Sequence, residues 1–268
     1  MERLGLDLMS AFGLPPVEYV NLAADLGCSH VTTGFTPLPW NPCGFPAWSL
    51  RDDHELRRVL LNVLRERNVA ISVAAGFSLK RDTDVRDLAA DMDLAAELGA
   101  RQVGTVGMDP DISRAHDQLA VLTEMASGRG MQVVLDYAPH QAINTLEAAC
   151  EALRHTGSAD ALLSLDAMHV FRAGATVQQI AALDPAVIGY AQLCDVPKRA
   201  PHDDYGREAS FERLVPGDGD LPLADFVAVL PPGVLIGVEV PNRAAALTEG
   251  LAAFLGRAVG ASRAVVGG

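Results

Sequence analysis

Gln132-Val-Val-Leu-Asp136, Ala161-Leu-Leu-Ser-Leu-Asp166, Ile188-Gly-Tyr-Ala-Gln192 and Val234-Leu-Ile-Gly-Val-Glu239 follow one pattern. Each is a short apolar, β-rich run that stops at an oxygen-bearing side chain. In a closed parallel barrel, all strand ends of one polarity face the same mouth. Asp136, Asp166, Gln192 and Glu239 are then expected to converge, although ~100 residues separate the first from the last. Three carboxylates packed together repel unless something positive lies between them. A set of oxygen donors of this kind suits a divalent cation such as Mn²⁺ or Mg²⁺.

The same alternation extends along the whole chain. Strands are expected at 4–9, 30–33, 70–75 and 102–106, then in the four runs above, with the seventh running from Val187 to Leu193. Helices are expected at 16–26, 53–67, 83–98, 112–127, 145–154, 176–183, from about Leu223, and at 243–255. Pro16 suits a first helical turn, Thr83 and Thr176 suit N-caps, and Gly27 and Gly99 suit helix ends. Eight strands alternating with helices indicate a parallel sheet. A doubly wound sheet is the competing architecture. It is disfavoured because no Gly-x-Gly-x-x-Gly follows the first strand, and because polar strand ends recur around the chain instead of at one switch point. The expected fold is a (β/α)₈ TIM barrel forming a single domain over residues 1–268, with residues 261–268 as a frayed tail.

Composition agrees. A chain of 268 residues suits a fold that needs ~250. Hydrophobic residues make up 49% and charged residues 21%, as in a soluble globular enzyme. A net charge of −13 argues against nucleic-acid binding, which needs clustered Lys and Arg. Cys28, Cys43, Cys150 and Cys194 are dispersed, which fits free thiols in a reducing compartment. No signal-like segment opens the chain, and no apolar run approaches the ~20 residues of a membrane span. The expectation is a cytoplasmic protein acting on a small molecule, with homo-oligomerisation left open.

Other side chains cluster near the strand ends. His169 lies three positions beyond Asp166 and can bond a substrate hydroxyl or carry a proton; His140, four beyond Asp136, has a similar claim. Arg172 and Arg213 are candidates to hold substrate oxygens. Trp40, Phe45 and Trp48 stand in a Pro-rich loop, 34–52, of a chain with only 5% aromatic residues, and are expected to wall or cover a pocket. A second specificity loop is expected at 195–220, beginning at Asp195.

Leu165-Asp166-Ala-Met-His169, Tyr190-Ala-Gln192-Leu-Cys-Asp195, Arg213-Leu-Val-Pro-Gly-Asp-Gly-Asp220-Leu-Pro-Leu and Val238-Glu239-Val carry a resemblance. The chain resembles the xylose-isomerase-like TIM-barrel superfamily of sugar isomerases, sugar epimerases, inosose dehydratases and 3-dehydroshikimate dehydratases. The resemblance implies one divalent metal (Mn, Mg or Co, with Zn as a further option) held by strands five to eight. By position the ligands are Asp136, Asp166, Gln192 and Glu239. Two of them depart from the epimerase pattern: Asp136 is one methylene shorter than the usual Glu, and Gln192 replaces the usual His. The Gln, followed by an acidic residue and the Pro-Gly-x-Gly turn, looks more like the dehydroshikimate dehydratase branch.

The implied chemistry is proton abstraction next to the carbonyl of a polyhydroxylated substrate, with the metal polarising the carbonyl. For isomerisation or epimerisation, Glu239 is the expected base and Asp136 stands opposite. For dehydration, His169 or His140 is the expected proton handler. A phosphodiesterase of the endonuclease IV kind is disfavoured by the missing seventh-strand His and the negative charge. A binding barrel without catalysis is the remaining alternative.

Overall fold

The computed structural model describes residues 3–267. Eight parallel strands close into a barrel in sequence order, with β8 pairing back to β1. They are β1 (Leu4–Leu6), β2 (His30–Thr33), β3 (Ala70–Leu79), β4 (Gln102–Gly107), β5 (Gln132–Asp136), β6 (Ala161–Asp166), β7 (Ile188–Leu193) and β8 (Leu235–Val238). The register places Asp136 beside Val106, and Asp166 beside Gln192. Polar residues distant in sequence are thus neighbours at one rim.

Helices α1 (Pro16–Asp25), α2 (His54–Arg67), α3 (Ala89–Glu97), α4 (Ile112–Ser127) and α5 (Leu146–Thr156) follow the first five strands. Their ends are set locally. Asp53 accepts from the Leu56 amide to start α2, and Asn68 adopts a left-handed conformation to end it. Thr145 caps α5, and Gly157 ends it at φ 63°. Two short helices follow β6: α6 (Ala167–Arg172) and α7 (Val177–Ala181), the latter with a capping box between Thr176 and Gln179. The segment after β7 holds α8 (Tyr205–Phe211) and α9 (Leu223–Ala228). The last two helices are α10 (Arg243–Glu249) and α11 (Leu251–Val266).

The apolar side chains form two groups. The larger lies between the sheet and the helices. The smaller, Val73, Val134, Leu162 and Tyr190, fills the barrel interior with Leu235 against it. Tyr190 fits because Gly237 faces its hydroxyl, where an added Cβ would clash. β3 continues past Ala75, and its register shifts between Ala74 and Phe77. Gly76 sits there at φ 114°, a backbone conformation that an L side chain strains.

Several elements differ from the sequence reading: α6 and α8 were not expected, and the single helix expected at 243–255 is two, α10 and α11. β1 stops at Leu6, because Asp7 turns the chain into a 3₁₀ turn by accepting from the Met9 amide. Thr83 does not cap α3; a 3₁₀ turn from Val85 to Leu88, capped by Asp84, precedes it. Residues 261–266 are helical rather than frayed, because α11 buries Ala258, Val259 and Ser262; Gly268 lies outside the described residues. No helix among the described residues is long and apolar enough to cross a membrane.

Candidate functional site

Two linked clusters occupy the C-terminal rim of β5 to β8. The first is built on Arg213, which is only 2% exposed. Its Nη1 donates to Asp166 Oδ2 at 2.5 Å and to Glu239 Oε2 at 3.2 Å. Nε donates to the Ala209 carbonyl. Arg213 is delivered by an antiparallel bridge between Leu214 and Asp195. Asp195 in turn accepts from the amides of Val196, Gly217 and Leu221, so it braces the Pro-Gly-x-Gly turn from within. Asp195 thus organises the loop, and Arg213 sits within the barrel rim as the buried partner of two carboxylates.

Gln192 connects this cluster to the first strand. Its Nε2 donates to Glu239 Oε2 at 2.7 Å and to Asp7 Oδ2 at 3.1 Å, while its Oε1 accepts from Ser164. Asp7 was missed by the sequence reading. Its signal was the one used for the other four, an apolar run, Leu4-Gly-Leu, ending at a carboxylate. Extending the first strand to Met9 hid it.

The second cluster is Asp136, His169, Tyr205 and His140. Asp166 caps α6 by accepting from the His169 amide at 2.9 Å, which fixes the imidazole. His169 Nδ1 meets the Tyr205 hydroxyl at 2.6 Å, and Nε2 lies 3.6 Å from Asp136 Oδ2. With the phenol donating to Nδ1, the ring proton sits on Nε2 and faces Asp136. His140 is exposed and stacks on the Tyr205 ring at 4.9 Å. Asp136 Oδ1 is buried without a partner.

Burial governs the protonation of these groups. It raises the carboxyls of Asp7, Asp136 and Glu239, with the Asp166 charge adding to the rise at Asp136. Asp166 is the exception: burial works against its charge, but Arg213 and His169 hold it below the usual range. Burial lowers His169 to about 4 despite Asp166 beside it, so the imidazole is neutral at pH 7.

A cavity of about 190 Å³ opens beside these clusters, with Asp7, Asp136, Gln192 and Glu239 in its wall. Leu38 is the residue of the Pro-rich loop that reaches it. Trp40 packs on Phe211 and Trp48 donates to the Gly13 carbonyl, and neither lines this cavity. Phe45 is also absent from the wall; its backbone is bonded to Asn41. Arg172 is likewise turned away, held by Glu208 and the carbonyls of Pro197 and Lys198.

The four expected metal ligands do not form a coordination sphere in this arrangement. Among the described residues, no three His, Cys, Asp or Glu side chains group closely enough to hold a metal ion. Arg213 takes the place between Asp166 and Glu239 that a cation needs. Gln192 presents its amide N–H, not its carbonyl, to Glu239, and Asp136 faces His169. The positive charge implied by the converging carboxylates is supplied by the chain itself.

The family model for the xylose isomerase-like TIM barrel matches residues 20–257. The chain belongs to this family. Solved structures share the xylose isomerase-like fold at low identity. The IOLI protein, described with a bound zinc atom, aligns with TM-score 0.81 at 17% identity, covering 99% of this chain and 98% of that one. The probable 3-DHS dehydratase AsbF from Bacillus anthracis aligns with TM-score 0.75 at 15% identity, covering 95% and 97%. An L-ribulose 3-epimerase aligns with TM-score 0.73 at 16% identity, covering 100% and 95%. A comparison with curated proteins finds no match. Zinc, epimerase and dehydratase are properties of those neighbours; likeness at this identity carries over the barrel alone.

Proposed function

We propose that this xylose isomerase-like barrel is an isomerase or epimerase that moves a proton next to the carbonyl of a polyhydroxylated small molecule. One observation carries the reading. Two desolvated carboxyls, Glu239 and Asp136, enter the same small cavity from strands three apart around the barrel. Burial pushes both above the ordinary range, towards the pH at which a carboxyl exchanges protons efficiently. Glu239 takes the proton from the carbon next to the carbonyl. Gln192 and Arg213 hold its Oε2 in place and oppose its loss of charge balance. Asp136, backed by the Nε2 proton of His169, returns a proton from the other wall. Asp7 and Gln192 orient substrate hydroxyls. No step passes through a metal ion, because the donors are not arranged around one.

Dehydration is the second reading, favoured by the Tyr205–His169–Asp136 chain, which can resupply a proton to a departing hydroxyl. The two readings separate by product: loss of water from an enolisable ketone leaves a conjugated chromophore, and isomerisation does not.

The test is exchange of the α-proton with D₂O, followed by NMR over a panel of ketoses and inososes. Glu239→Gln is expected to keep the fold and lower exchange by about 10³-fold, the scale of losing a general base. Exchange near the wild-type rate in that variant would remove Glu239 from the role of base.

A further inference from the structure

A second cavity, of about 500 Å³, opens at the other end of the barrel. His30, Ala70 and Leu235 begin β2, β3 and β8, Arg101 directly precedes β4, and all four line it. We propose that this cavity binds a small organic phosphate, with Arg101 and Arg65 holding the phosphoryl oxygens. The site lies at the N-terminal mouth, away from Glu239, and does not depend on the proposed proton transfer.

The first ground is the sign of the wall. Arg65 and Arg101 bring full positive charges, and among the described residues no Asp or Glu lines the cavity. The chain carries a net charge of −13, so a wall with two guanidinium groups and no carboxylate runs against its composition. One feature opposes an anion: α2 ends here at Asn68, and a helix C-terminus contributes roughly −0.5 of a charge. Two full charges outweigh it. His30 adds none at pH 7, because burial first, and Arg101 second, hold its imidazole at about 4. The second of those causes places the Arg101 charge close to the cavity wall.

The second ground is that both cations are unspent. Helix α2 carries four arginines. Arg57, Arg58 and Arg67 pair with Glu97, Glu55 and Asp25. Arg65, the one that reaches the cavity, has no carboxylate partner among the described residues; it bonds the Leu61 carbonyl and the Asn62 side chain of its own helix. Arg101 makes no hydrogen bond or ion pair among the described residues. Both side chains are exposed, so an anion can engage them without breaking an ion pair. A guanidinium presents a fork of N–H donors that matches phosphoryl oxygens.

The third ground is size. The cavity falls within the ~300–1,000 Å³ of small-molecule sites and has more room than a bare phosphate ion fills. Ser29 and Asn68 in the wall can meet hydroxyls of an attached organic group. Val69 and Leu235 offer apolar surface to its carbon frame.

Calorimetric titration of the full-length protein with glycerol 3-phosphate, glycerol and inorganic phosphate tests the proposal. Glycerol 3-phosphate is expected to saturate one site, about 10-fold or more tighter than glycerol and about 3-fold or more tighter than inorganic phosphate. Arg101→Ala is expected to weaken it about 10-fold, the scale of one charge-assisted contact, and the double variant Arg65→Ala/Arg101→Ala further still. An unchanged Tm checks that these exposed positions leave the fold intact. In ¹H–¹⁵N spectra the ligand should move the amides of Ser29, Asn68 and Arg101 and leave those of Gln192 and Glu239 in place. No saturable binding overturns the proposal, as does wild-type affinity in the double variant or a shift pattern confined to the C-terminal rim. Equal affinity for inorganic phosphate leaves a bare anion site and overturns the organic phosphate. None of these outcomes bears on α-proton exchange, so the proposed reaction stands or falls separately.

Discussion

Replacing Arg213 with Met removes the positive charge on which the candidate site is built. Arg213 is 2% exposed and contacts Asp166 at 2.5 Å and Glu239 at 3.2 Å. At an effective dielectric of ~20, each contact near 4 Å or closer is worth about 4 kcal/mol of attraction, set against several kcal/mol of desolvation per ion. Truncating one partner keeps the desolvation and loses the attraction, so the expected destabilisation is about 3–5 kcal/mol. For a chain of this size that corresponds to a fall in Tm of roughly 6–20 °C. The assay is thermal and urea unfolding followed by circular dichroism.

The pH dependence sharpens the test. Without Arg213, the buried Asp166 carboxyl loses the charge that holds its pKa low, so it takes a proton at higher pH and relieves the strain. The gap between wild type and variant should therefore shrink on going from pH 8 to pH 5. A double-mutant cycle with Asp166→Asn should show coupling of at least about 1.5 kcal/mol. A loss below about 1 kcal/mol, or strict additivity, would refute Arg213 as the central cation.

Two further outcomes follow from the fold. His30 is buried and held to about 4, mainly by desolvation and also by Arg101, against an ordinary value of 6.5. The unfolded chain therefore binds a proton that the native state refuses. Stability should fall as pH drops from about 6.5 to 4, by roughly 2–3 kcal/mol from this residue, and His30→Gln should flatten that slope in urea titrations; parallel curves would exclude it. In Gly219→Ala, the new Cβ would meet the Asp195 carboxylate and lie 2.6 Å from the Val196 carbonyl. That should cost about 1–3 kcal/mol and weaken ligand binding as well, because the same turn seats Arg213; an unchanged Tm would show that the turn absorbs the methyl.

The fold was legible because it is written locally. Strand runs, caps and helix periods each occupy a few consecutive residues, and their strict alternation leaves few topologies. The same logic found Asp136, Asp166, Gln192 and Glu239, since barrel closure brings strand ends to one rim. It failed where a side chain acts far from its own strand. Arg213 reads as a loop cation, and only the bridge at Asp195 carries it inward to Asp166 and Glu239. Trp40 and Trp48 read as pocket walls, yet the loop turns them onto Phe211 and Gly13 and offers Leu38 instead. Gln192 reads as an oxygen donor, yet its neighbours Asp7 and Glu239 are acceptors and draw its N–H. Sequence alone determined the barrel and the residues at its rim, because short-range pattern and closure dictate both. Tertiary structure decided which of those residues face the cavity and which cation neutralises them, because orientation and charge balance depend on neighbours that only folding brings together.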